Sequence, residues 1–342
     1  MNDLEVEHVD NCILCGDAGT LLYDHLPDRL FGSPGEWRLV RCPHDGLVWL
    51  NPRPAMQEIS KIYSKYYTHS VSDSSNGHSQ SIRSELRVAI CGAMAGAENR
   101  QRWHWKAIGK IATIFPPTRE LGRMGARCLT QKQKGKLLDV GCGDGRFLNL
   151  MRSFGWDVRG VEPDAEAARI ARDVYNLTVD CGTLEDIRIP PSSVDVVTLH
   201  HVIEHAPNPI ELLQHCRRIL TSSGLLVLVT PNLNSIGHRM FCRNWRDLDP
   251  PRHFYLFNSR TLSECVTRSG FGILSRRTSG RWAYEIGKFS RALTANHVTI
   301  AAPRMYDKVA GLGFQLAESA LKAFQPGSGE ELVLLARPAL AT

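Results

Sequence analysis

The 342-residue chain contains no apolar run near the ~20 residues needed to cross a bilayer. Its opening residues, MNDLEVEHVD, are acidic and hold no apolar core of the kind a secretory signal requires. A cytoplasmic protein is the expectation. No internal repeat and no long low-complexity segment interrupts an otherwise ordinary globular composition. The formal charge is only +6, and no basic tract is concentrated enough to expect nucleic acid as a partner. The ten cysteines are scattered and only two lie close together, so reduced thiols are expected rather than a disulfide framework. The length allows one large domain or two smaller ones.

What is present centres on residues 136–146, KLLDVGCGDGR. The apolar residues Leu137, Leu138 and Val140 surround Asp139, and the run then breaks into Gly141-Cys142-Gly143-Asp144-Gly145. An amphipathic run follows, with Phe147, Leu148, Leu150 and Met151. The pattern predicts strand, tight turn and helix. Glycine is needed where backbone turns sharply or lies against a ligand, since a Cβ would collide. The helix behind it points unpaired N–H groups at that ligand. A dinucleotide fold requires G-x-G-x-x-G, and here Arg146 holds the third place.

The pattern is instead D-x-G-x-G-x-G, which resembles motif I of the class I S-adenosylmethionine (SAM)-dependent methyltransferases. Further segments extend the resemblance in order. The strand 156–162 ends in Glu162, about twenty residues past the glycines, where α/β nucleotide folds place a ribose-binding carboxylate. A strand over 177–181 leads to Thr183 and Leu184, and a strand over 194–199 leads to HHVIEH at 200–205. The segment WRDLDPPRHFYLF, 245–257, resembles a further signature of the group. A buried strand is expected at 225–229, after Gly224. Helices are expected over 164–175, 209–219 and 260–269, and further strands over 271–277 and 330–338.

The resemblance implies a Rossmann-like α/β fold, a seven-stranded sheet with helices on both faces. It also implies SAM as cofactor. Gly141 and Gly143 would approach SAM, Asp139 would lie near its methionine amino group, and Glu162 would bind ribose. Thr183 and Leu184 would meet adenine, and His200 would stand at the strand end beside the methionine moiety. His205 and His253 are candidate bases for a methyl acceptor, because histidine titrates near neutral pH. Trp245 and Arg252 would wall the acceptor site. A catalytic metal on His201, Glu204 and His205 is an alternative, weakened by histidine standing where related ubiquinone-biosynthesis O-methyltransferases have glutamate.

Three divisions are expected: 1–54, 55–130, and 131–342 with an insertion at 280–328. Cys12-Ile-Leu-Cys15-Gly16 is a metal knuckle, because the turn lets both thiolates face one ion. Cys42-Pro-His44-Asp45-Gly46 supplies a second half in which Asp45 replaces a cysteine. The unit resembles the zinc-ribbon-like module of some SAM methyltransferases. Either zinc binds through Cys12, Cys15, Cys42 and one of His44 and Asp45, or the hairpins hold by packing alone. Residues 55–130 read as a helical cap in which Pro116-Pro117 interrupts a helix. Tyr66, Tyr67 and His69 end its first helical run, and 70–81 reads as a polar loop. The insertion has three readings: completing the acceptor pocket, forming a dimer face or lying on a membrane; its Leu312, Phe314, Leu316, Leu321 and Phe324 are expected to be buried rather than lipid-facing. The acceptor implied is a small molecule methylated at oxygen or carbon: a sugar, sugar-nucleotide or glycolipid precursor, or alternatively a quinone-type phenol. A catalytically inactive SAM-binding scaffold and a nicotinamide oxidoreductase are the rival classes. The oligomeric state stays open.

Overall fold

A computed structural model describes residues 4–63, 82–97, 101–130, 134–296 and 304–339. Tyr66, Tyr67, His69 and the stretch 70–81 lie outside the described residues. The chain opens with β1 (Val6–Glu7), β2 (Thr20–Pro27), β3 (Glu36–Arg41), β4 (Val48–Leu50) and β5 (Arg53–Pro54). β1 pairs antiparallel with β5, and β2, β3 and β4 form an antiparallel meander. Then come α1 (Ile59–Tyr63), α2 (Ile82–Ala95), α3 (Trp103–Ala112) and α4 (Pro116–Gly125). The proline pair opens α4 in its first turn, where a missing N–H breaks no helical bond.

Strands and helices alternate from there: β6 (Lys136–Val140), α5 (Arg146–Ser153), β7 (Asp157–Glu162), α6 (Ala165–Tyr175), β8 (Val179–Cys181), β9 (Val194–His200), α7 (Pro209–Ile219) and β10 (Leu220–Pro231). The chain ends with α8 (Ile236–Phe241), β11 (Tyr255–Leu256), α9 (Ser259–Arg268), β12 (Phe271–Ser279), α10 (Ala283–Thr294), α11 (Met305–Phe324) and β13 (Glu331–Pro338). Two boundaries show why helices start where they do. The Asp164 side chain accepts from the N–H groups of Glu166 and Ala167 at the head of α6. Asn258 and Thr261 form a capping box at the head of α9.

Seven strands form one mixed sheet in the order β12-β13-β10-β9-β6-β7-β8, with helices on both sides. This is the Rossmann-like fold. β6 pairs in parallel with β7 and β9, and β7 pairs in parallel with β8. Four of the five β6 residues are buried, as expected for a strand covered on both faces. The strand order reverses beside β6, and open α/β sheets bind ligands at such a switch point, outside the carboxyl ends of the strands. A second sheet has the order β11-β4-β3-β2. Its edge strand β11 comes from the 245–257 segment, with Tyr255 opposite Trp49.

By packing, the chain divides into two compact units. One comprises 1–66, 201–213 and 228–335, and the other 67–200, 214–227 and 336–342. Among the described residues, no helix is long and apolar enough to cross a membrane.

The strand expected at 225–229 is longer, running through Gly224 as β10. Two expectations need correction. Arg252 is fully buried between Asp28 and Asp249 and walls no cleft. Of the five apolar residues expected to be buried in the insertion, only Phe314 is, at 5% exposure. Leu312, Leu316, Leu321 and Phe324 are 56%, 64%, 43% and 85% exposed, because α11 carries apolar residues on more than the one face that α10 covers.

Candidate active site

The glycine loop leaves β6 with three successive positive-φ glycines, Gly141 (+68°), Gly143 (+56°) and Gly145 (+80°). Two of them are needed for different reasons. A Cβ on Gly145 would lie 2.7 Å from Leu177 and 2.8 Å from Ala171, so glycine there lets the loop pack against α6. A Cβ on Gly143 would meet nothing within 4 Å, so this residue faces open space. The loop is pinned from the neighbouring strand, since Gly141 N–H donates to Val161 O at 2.8 Å.

Glu162 ends β7 with only 5% exposure. Its Oε2 accepts from Gly143 N–H at 2.8 Å and its Oε1 from Asp164 N–H at 2.9 Å. Burial pushes the carboxyl above its usual value, and those two N–H groups draw it back. Each oxygen keeps a second lone pair for a further donor. Thr183 and Leu184 follow β8. Leu184 is buried, and the Thr183 hydroxyl donates to Asp186 at 2.7 Å, so this turn is tied up locally. His200 stands half-buried at the end of β9.

Asp139 is completely buried on β6. Its register partner on β9 is Thr198, whose hydroxyl donates to Oδ1 at 2.6 Å. The same oxygen accepts from the Arg127 guanidinium, while Oδ2 is buried and makes no hydrogen bond. Burial raises the carboxyl, and the Arg127 charge opposes it. Arg127 itself lies 3.7 Å over the Phe147 ring and has φ +46°. Sequence reading missed Arg127: it matches no motif, and its left-handed backbone leaves no signature.

The HHVIEH turn and the 245–257 segment build a second cluster. His201 (φ +55°) reaches Glu204 at 3.0 Å through Nδ1 and Glu331 at 2.9 Å through Nε2. Ionised carboxylates only accept, so both ring nitrogens donate and the ring is an imidazolium. Burial alone would lower its pKa, but the two carboxylates push it up to about 10. Glu204 is fully buried, accepts from Thr230 at 3.0 Å, and is held down to about 2: burial would raise it, but His201 outweighs burial.

His205 and His253 come together with ring centroids 4.7 Å apart, edge to face. His205 Nδ1 bonds Arg252 O at 2.9 Å, and His253 Nδ1 bonds Asp247 O at 2.7 Å. A carbonyl only accepts, so Nδ1 carries the proton in both rings and Nε2 is the basic nitrogen. Burial, then the neighbouring His253, lowers the pKa of His205 to about 4, so the ring is neutral at pH 7. The loop that supplies both carbonyls is clamped by Arg252. Its guanidinium bonds Asp28 at 2.8 and 2.9 Å and Asp249 at 2.6 Å. Sequence reading also missed Asp28, Asp249, Thr230 and Glu331, since only tertiary structure brings them to these partners.

The thiol cluster assembles as the knuckle spacing predicts. One ligand atom each from Cys12, Cys15, Cys42 and Asp45 lies within 4.8 Å of the others. The Cys12 thiol donates to Asp45 at 3.2 Å, and Cys15 and Cys42 sulfurs are 3.3 Å apart. Backbone N–H groups of Leu14 and Asp45 donate to Cys12 and Cys42 sulfur, each at 3.4 Å. His44 lies outside the group, 3.7 Å from Asp17.

A family model described as "Methyltransferase domain" matches residues 114–276. The ubiquinone biosynthesis O-methyltransferase of Glaesserella parasuis is 30% identical over 132 residues, 34% of this chain and 56% of that protein. The protein of the same name from Cereibacter sphaeroides is 36% identical over 183 residues, 48% of this chain and 72% of that protein. A protein of Mycobacterium tuberculosis named as an S-adenosylmethionine-dependent methyltransferase is 33% identical over 151 residues, 44% of this chain and 52% of that protein. The chain thus spans about half the length of the first curated relatives it matches.

The charge state of His201 gives a test of this geometry. Its folded pKa is raised above the model-peptide value of 6.5 to about 10. The stabilisation it contributes is therefore fully present below pH 6.5 and lost as pH rises towards 10. Urea midpoints measured across that window should fall with pH, and His201→Gln should flatten the slope. An unchanged slope in the variant would remove the imidazolium.

Proposed function

Because this chain belongs to the class I SAM-dependent methyltransferases, we propose that it moves a methyl group from SAM to an oxygen or carbon of a small molecule. SAM is the cofactor of this family. The observation that carries the reading is Glu162, aimed by Gly143 and Asp164 N–H groups at the end of β7. The residues present fit the ligand. Glu162 retains acceptor capacity for a ribose diol. Gly143 faces open space. The unbonded Asp139 Oδ2 is a buried acceptor of the kind a cationic amino group completes. Gly141, Gly143, Asp139 and Glu162 are thus proposed to hold SAM. His200 and the backbone at Thr183 and Leu184 are proposed to line its remaining parts.

SAM supplies an already activated sulfonium methyl when bound. The chain's own residues must orient the acceptor, exclude water and take a proton. His205 is the proposed base, with His253 the second candidate. At pH 7 its Nε2 is unprotonated, ready but weakly basic. Such a base suits a proton that leaves as the new bond forms. Support for a sugar, sugar-nucleotide or glycolipid precursor is the thiol knuckle joined to the 245–257 segment. The names of the matched relatives support a quinone-type phenol as the second reading.

Zinc is the proposed structural ion at Cys12, Cys15, Cys42 and Asp45. The four donors converge, and N–H donation to two of the sulfurs would stabilise thiolates there.

Three measurements test these readings. Calorimetric titration should show SAM binding and no NAD binding, with Glu162→Ala weakening SAM at least about tenfold, from two lost ribose hydrogen bonds. NAD binding without SAM binding would overturn the family-based reaction. With a turning-over acceptor found by screening labelled SAM, the acid limb of kcat/KM should fall near pH 4, the value to which His205 is lowered. His205→Ala should lower kcat by about 10²–10⁴. An undiminished kcat in both His205→Ala and His253→Ala would rule out a histidine base. Elemental analysis of purified protein should find about one zinc per chain, lost in Cys12→Ser. Well-folded, metal-free wild type after zinc addition would count against the ion.

A further inference from the structure

α11 is built inside out. Its acids Asp307 and Glu318 are each 1% exposed. On another face, Met305, Val309, Leu312 and Leu316 recur at steps of four, three and four residues, which forms one stripe. They are 75%, 63%, 56% and 64% exposed, and Phe324 extends the apolar surface at 85%. α10 also turns polar groups inward, burying Lys288 and Ser290.

The two helices meet through small and polar residues. A Cβ on Gly287 would lie 2.5 Å from Phe314, and one on Gly311 would lie 2.7 Å from Tyr284 O. Gln315 accepts from Tyr284 N–H at 3.1 Å and donates to Gly280 O at 3.3 Å. Lys288 pairs with Glu285 at 2.5 Å. Small and polar residues between helices, with apolar residues outside, is the arrangement of helices with apolar surroundings.

The charges at the rim identify what covers this face. Between 304 and 324 both acids are buried, while Arg304 and Lys308 are exposed. Arg304 lies 6.0 Å from the Tyr306 ring and Arg281 lies 5.3 Å from the Trp282 ring. Basic groups paired with tyrosine and tryptophan suit a boundary between water and lipid. A second copy of the chain fits less well. It would bring the same cations to the rim, with no exposed acid on α11 to answer them.

We propose that the outer face of α11 docks on the surface of an anionic lipid bilayer. The 20-residue helix lies in the plane of the interface. Met305, Val309, Leu312 and Leu316 enter the acyl boundary, and Arg304 and Lys308 meet lipid phosphates. This takes the membrane reading of the insertion in place of the expected burial of its apolar residues.

Vesicle co-sedimentation of the full chain tests this, using phosphatidylcholine with and without phosphatidylglycerol. The wild type should bind the anionic vesicles preferentially. Binding should weaken in ~1 M salt, where the Debye length shrinks to about 3 Å. Leu312→Gln/Leu316→Gln should weaken binding at least about tenfold, since two apolar anchors are lost. Its thermal midpoint should not move, because both side chains are already exposed. Wild type that stays in the supernatant overturns the proposal, as does equal binding by the double variant. A wild-type dimer that the double variant converts to monomer also overturns it and assigns the face to a second copy. The assay contains neither SAM nor acceptor, so its failure leaves the methyl-transfer reading intact.

Discussion

The histidine cluster depends on one buried cation. Arg252 is fully enclosed and holds Asp28 and Asp249 by charge-assisted hydrogen bonds. Asp249 is held at about 2: burial would raise it, but Arg252 outweighs burial. Removing one member of such a buried set costs about 3–5 kcal/mol, because the others lose their counter-charge. The clamp also shapes the backbone around it. Arg252 and His253 N–H groups both donate to Asp249 O. The loop then presents Arg252 O and Asp247 O to two different imidazoles. Both tautomers are therefore set by the fold of this loop, through backbone acceptors that no point substitution of a neighbour removes directly.

The glycine loop solves a different problem with the same economy of charge. Asp139 and Glu162 both end up buried in an α/β sheet, where an ionised carboxylate is costly unless it is answered. Glu162 is answered by backbone N–H groups, and its loop is thereby fixed. Asp139 is answered by Arg127 and Thr198 on one oxygen alone. The two acids differ in what remains for a ligand. Glu162 has remaining lone pairs at a strand end, and Asp139 has a whole buried oxygen.

Those features that local chemistry dictates were legible in the sequence. The strand–glycine–helix unit, the acid ending β7 and the C-x2-C knuckle each depend on neighbours within a few residues. The seven-stranded sheet followed from the resemblance to the SAM-dependent methyltransferases, carried by motifs met in order along the chain. What stayed hidden was set by partners far along the chain. Arg252 reads as a cleft residue until Asp28, more than two hundred residues earlier, encloses it. His44 and Asp45 are equivalent as ligands on paper, and only the turn geometry carries Asp45 inward and leaves His44 beside Asp17. The faces of α11 were misread because apolar spacing identifies a helix without saying which side its neighbours cover.

His201 shows how one substitution redirects the chemistry of the turn. A glutamate at this position would place another negative charge beside Glu204 and Glu331, and a hard divalent cation could balance the three. With histidine there, the imidazolium itself supplies the positive charge. It engages Glu204 on one side and Glu331 on the other. Glu204 is further occupied by Thr230. A hard cation would then have to displace an internal ion pair rather than complete an acidic one. The turn is therefore electrostatically satisfied by its own side chains, which leaves the neutral imidazole of His205 for chemistry. That is the physical basis for proposing proton transfer at this site.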